Sequence, residues 1–112
     1  MNQTDLQALR YPIGEFSPKE SYTPDDVKWY INTIELFPSK IKQAINGLSD
    51  EQLDTQYRPE GWTIRQVVHH VADSHINSYT RFKLALTEDN PTIRPYEEAD
   101  WAELPDAKSG SL

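Results

Sequence analysis

The feature that most limits what this chain can become is the run from Trp62 to Thr87, which holds no glycine and no proline and opens on Thr63-Ile64-Arg65-Gln66. Thr63 and Gln66 stand at the spacing where an N-cap hydroxyl and an N3 amide satisfy each other's backbone N–H groups. Trp62 and Val67 flank that box as a hydrophobic staple would. Apolar residues then recur at Ile64, Val68, Val71, Ala72, Tyr79, Phe82 and Leu86, which is the stripe of one helical face. Ser74, Ser78 and Ala85 beside it allow close approach of a second helix. The run therefore predicts one long helix to about Thr87, with a face that needs covering.

A partner of the same kind lies upstream. Thr23 is an N-cap, Pro24 suits the first helical position, and Asp25 and Asp26 favour the positive end of the dipole. Val27, Ile31, Ile34, Ile41, Ile45 and Leu48 form a seam, interrupted where Pro38 stands. Pro38 removes one backbone hydrogen bond, so a kink or a break into two helices is expected there. Asn46-Gly47 is a stop. Ser49 and Gln52 form a capping box for a short helix, Arg58-Pro59-Glu60-Gly61 a turn, and Asn90-Pro91 the end of the long helix. Residues 96–104 predict a short acidic helix anchored by Trp101 and Leu104, and 105–112 carry no strong signal. Tyr11-Pro12-Ile13-Gly14-Glu15-Phe16 and Pro18 oppose regular structure, so 1–22 is expected to be an extended arm. With no strand alternation and no internal repeat, the fold class is all-α, with an arm over 1–22 and a helical bundle over 23–112.

The balance of 18 acidic against 11 basic residues gives a net charge of −7. That disfavours nucleic acid and anionic membranes as partners, since both need a positive surface. Arg58, Arg65, Arg81 and Lys83 form only a loosely basic region among acids. No cysteine is present, which removes disulfides, thiolate ligands and a cysteine nucleophile. No apolar run approaches the roughly 20 residues that span a bilayer, and Met1 to Arg10 lack a signal-peptide core. The cytosol is the expected compartment.

His69, His70 and His75 are the chain's 3 histidines and share one helix. At about 100° per residue, His75 falls inside the apolar stripe, His70 on its flank beside Ser74 and Val67, and His69 away from it near Asp73. They cannot all reach one metal. A catalytic site of zinc type needs about three protein ligands, so one helix supplies one or two. On residues alone, a hydrogen-bonded core His75 and a solvated His69–Asp73 pair outweigh ligand roles.

The stretch Gly61-Trp62-Thr63-Ile64-Arg65-Gln66-Val67-Val68-His69-His70-Val71-Ala72-Asp73-Ser74-His75 resembles the second helix of the DinB-like superfamily, and most closely its YfiT-like branch. Tyr11-Pro12-Ile13-Gly14-Glu15, Arg81-Phe82-Lys83 and Ile93-Arg94-Pro95-Tyr96 resemble that branch as well, so the likeness spans nearly the whole chain. It implies an antiparallel four-helix bundle, often a homodimer, with zinc or nickel held by three histidines. The first of these stands eight residues after the helix-opening tryptophan, a position held here by His70. Asp73 would orient His70 or a bound water. The family takes its other two ligands from a His-x-x-x-His pair on a late helix, and no histidine follows His75 in these residues. The expectation is therefore the N-terminal helices of a DinB-type bundle with part of its metal site. The activity implied is that of a metal-dependent hydrolase or a bacillithiol-type thiol S-transferase acting on a small molecule. The alternative is a non-catalytic helical module that self-associates.

Overall fold

In the computed structural model, which describes residues 1–112, six α-helices account for the regular structure and no strand forms. The all-α class expected from the sequence is what the chain adopts. The helices fall into two units, residues 1–49 and 50–112.

The first unit holds α1 (Gln3–Arg10) and α2 (Pro24–Ile45). Helix α1 corrects the expectation of an extended arm. The Asn2 side chain accepts from the Asp5 N–H at 2.8 Å, with Asp5 in the first turn and Arg10 in the last, so local capping outweighs the breakers downstream. Residues 11–23 are irregular, with Gly14 at φ +86°. Helix α2 starts as expected and with a fuller device: the Thr23 hydroxyl accepts from Asp26 N–H at 3.1 Å, and the Asp26 carboxylate accepts from Thr23 N–H at 2.9 Å. Lys19 then pairs with Asp26 at 2.7 Å. The helix runs through Pro38 without a break. One missing N–H costs a single bond, and the helix on both sides keeps the rest. Gly47, at φ +77°, follows the last turn.

The second unit is built around the first turns of α4. It comprises α3 (Asp50–Leu53), α4 (Ile64–Thr87), α5 (Glu98–Ala102) and α6 (Pro105–Ser109). The Thr63–Gln66 capping box forms in both directions. The loop before it doubles back, with Tyr57 N–H on Trp62 carbonyl at 3.2 Å and Ile64 N–H on Thr55 carbonyl at 3.1 Å. Gly61 is buried in this loop, and a Cβ there would stand 2.6 Å from Arg58 Cγ and 3.1 Å from the Arg58 carbonyl.

Arg65 and Gln66, both buried, tie the short helices to α4. Arg65 donates to Asp54 at 2.8 Å, Asp50 at 2.9 Å and the Gly110 carbonyl at 2.8 Å. Gln66 Nε2 donates to the Ala102 carbonyl at 2.7 Å. The side chains that bury on α5 and α6 are Ala102 and Ala107, not the Trp101 and Leu104 expected as anchors, because a short helix held through its backbone must come close. Helix α6 forms where no element was expected, with Pro105 at its first turn. No helix is long and apolar enough to cross a membrane.

Candidate metal centre

Because Gln66 fixes the start of α4, the residues one turn later have a defined setting. His70 lies on the Gln66 side of the helix, four positions on. It is half-buried, and its ring meets the indole of Trp62 with centroids 4.8 Å apart and planes tilted by 49°. Trp62 is itself positioned by the loop 55–63, whose backbone bonds lock it just outside the N-cap. The sequence placed His70 on the flank of the stripe, and that half-covered setting is what the fold gives it. The indole contact was not foreseen.

Asp73 is half-buried one turn further on. Its backbone carbonyl accepts from Asn77 Nδ2 at 2.8 Å. The other two histidines exchange the roles expected of them. His75 is exposed rather than buried in a core, because the apolar stripe around it is itself uncovered: Ile76 is 61% and Phe82 70% exposed. His69 is half-buried rather than solvated, and its Nε2 is enclosed without a hydrogen-bond partner. A buried imidazole nitrogen in that state is uncommon and calls for an acceptor, a donor or an ion.

The electrostatics nearby are dominated by Arg65. Hydrogen bonds from its guanidinium to Asp54, and then to Asp50, hold its pKa above the ordinary arginine value. These bonds commit Arg65 to structure, which takes it out of the basic region counted in the sequence.

As a metal site the donor set falls short. His70 offers one neutral nitrogen and Asp73 a carboxylate, but nowhere do three or more His, Asp or Glu side chains come together to hold an ion. A catalytic divalent site needs about three protein ligands. The residues present do not make that set.

Three comparisons bear on this arrangement. The model of the DinB superfamily matches residues 33–109. A candidate metal-dependent hydrolase of Bacillus subtilis (strain 168), YfiT, is 56% identical over 108 residues, covering 93% of this chain and 61% of that protein. A candidate metal-dependent hydrolase of Bacillus cereus (strain B4264) is 60% identical over 103 residues, covering 92% and 60%. The solved structure of Bacillus subtilis YfiT, described as having an unusual four-helix bundle topology, superposes with a TM-score of 0.88 at 55% identity, over 93% of this chain and 59% of that one. The chain thus spans about three fifths of the length of the curated relatives it matches.

Proposed function

The chain belongs to the DinB superfamily, and from that premise we propose that it is part of a metal-dependent hydrolase in which His70 is one of the metal's ligands. The observation that carries this reading is the setting of His70. Its ring is half-buried, seated on Trp62, and presented on the face of α4 below the Gln66 anchor. An aromatic neighbour that fixes the ring plane reduces the freedom lost when an ion binds, which favours a ligand over a solvated side chain. Asp73, one turn away, would orient His70 or a bound water. A divalent ion held by His70 together with further ligands would supply Lewis acidity to a bound water or thiol.

The remaining ligands would come from further polypeptide or from a second copy, since no set of three His, Asp or Glu side chains comes together here. Zinc and nickel both suit a nitrogen-rich site. Hydrolysis and thiol S-transfer, including transfer of a bacillithiol-type thiol, are both served by an ion that activates a water or a thiol.

Metal content tests the reading. Purified protein loaded with zinc or nickel, then measured by elemental analysis beside His70→Ala and His69→Ala, should lose its bound metal in the first variant and keep it in the second. The His69 arm matters because its Nε2 is the enclosed and unpartnered nitrogen. Metal that survives His70→Ala, or vanishes only in His69→Ala, contradicts the assignment.

A second reading has its own observation. Ile31 is 60%, Ile34 58% and Leu86 83% exposed, so apolar faces of α2 and α4 stand uncovered. A face of that kind marks an interaction surface. Self-association into a homodimer covers it and is compatible with the first reading.

A further inference from the structure

On the same face of α4 as His70 lies a cavity of about 540 Å³, bounded by α4 and the segment that leads into α5. Its lining includes Asn77 and Arg81 from α4, Arg94, Tyr96 and Glu97 from the loop, and Trp101 from α5. Positions 70, 77 and 81 fall within a narrow arc at about 100° per residue, so the cavity begins roughly 10 Å along the helix from His70. Its size falls within the range of small-molecule pockets, about 300–1,000 Å³.

The charges of the wall are its unusual property. Acidic residues outnumber basic ones by 18 to 11, yet neither Arg81 nor Arg94 is paired with a carboxylate. The ion pairs of the molecule are Lys19–Asp26, Arg65–Asp50, Arg65–Asp54 and Lys108–Glu103. Arg81 is half-buried and commits one N–H to the carbonyl of Arg94 at 3.2 Å. A guanidinium has five N–H donors, so the fork is mostly unspent. Beside it, the rings of Tyr96 and Trp101 stand 4.8 Å apart with planes at 58°, two aromatic surfaces meeting at an angle.

We propose that this cavity binds a small organic monoanion, a carboxylate carried on a flat apolar body. The carboxylate would take the planar, bidentate geometry that arginine favours. The apolar body would lie against the ring of Trp101, with Tyr96 inclined beside it. Glu97, the one acid in the wall, sets the class: it repels a dianionic phosphate ester more strongly than a monoanionic carboxylate. The inference stands whether or not His70 holds a metal, because every residue it uses is outside that pair of rings.

The probe is benzoate, followed through the indole resonance of Trp101, with benzyl alcohol as the uncharged control and phenyl phosphate as the dianionic one. Benzoate should give a saturable shift at millimolar concentration, benzyl alcohol none, and phenyl phosphate a weaker response. Arg81→Gln should weaken benzoate by at least about tenfold, the scale of one charge-assisted hydrogen bond. Arg94→Gln provides a second variant should the first disturb α4, as circular dichroism would reveal. Glu97→Gln should leave benzoate binding intact or tighten it and raise the response to phenyl phosphate. An absent or non-saturable response to benzoate overturns the proposal, as do equal binding of benzyl alcohol, stronger binding of phenyl phosphate, or benzoate affinity unchanged in both arginine variants.

Discussion

Gln66 shows how one side chain can set a site it does not belong to. Its Oε1 closes the cap of α4 by accepting from Thr63 N–H at 3.0 Å, while its Nε2 holds Ala102 carbonyl at 2.7 Å. Removing the amide leaves a buried carbonyl without a donor and opens the cap. Gln66→Ala should therefore lower unfolding stability by about 2 kcal/mol. Gln66→Glu discriminates between the two bonds, because it keeps the acceptor for Thr63 and loses the donor for Ala102. If the tie to α5 matters as argued, denaturant unfolding will find Gln66→Glu at least as damaging as Gln66→Ala. A neutral Gln66→Glu would show that capping alone carries the effect. The capping role was legible in the sequence, since it needs only local spacing. The second bond was not, because its acceptor is a backbone carbonyl 36 positions away, and backbone acceptors leave no mark in a sequence.

Elements follow the same division between local and distant causes. The start and end of α4 and the start of α2 were readable because caps and prolines act within a few residues. Helix α1 was obscured by the breakers that follow it. Helix α6 was obscured because its stability comes from Ala107, fully buried, and from Arg65 reaching Gly110, neither of which has a periodic signature. His69 and His75 were misplaced for a related reason: a helical wheel ranks faces by composition, whereas exposure depends on which neighbours are present to cover them. At the N-terminus of α2 the local device also predicts a pH response. A hydrogen bond from Lys19, reinforced by Thr23 N–H, holds the Asp26 carboxyl below its ordinary range, and the bond to Asp26 raises the pKa of Lys19. The Asp26 contribution is thus present above the ordinary carboxylate pKa and lost as pH falls through its depressed value. The Lys19 contribution is complete below the ordinary lysine pKa and lost as pH rises through its raised value. Amide protection in the first turn of α2, taken relative to the intrinsic exchange rate at each pH, should be greatest between these limits and fall in acid, modestly because the pair is on the surface and screened by salt. In Asp26→Asn the acid loss of protection should disappear. Its persistence would place the titration elsewhere.

At the level of the whole molecule, apolar surface and donor count point the same way. Val27, Ile31, Ile34, Ile76, Phe82 and Leu86 are all exposed, and the histidines lack companions that would complete an ion site. More protein, from further chain or from a second copy, would meet both deficits. Light scattering should show a species larger than the monomer that grows with concentration. A well-folded monomer at high concentration would reject self-association. The more direct test concerns His70 itself. Sub-stoichiometric nickel added to labelled protein should broaden the resonances of the His70 ring and of Trp62 in contact with it before any others, and His70→Ala should abolish that broadening. Broadening centred on His69 or His75 and indifferent to His70→Ala would contradict the assignment of His70 as the metal's ligand.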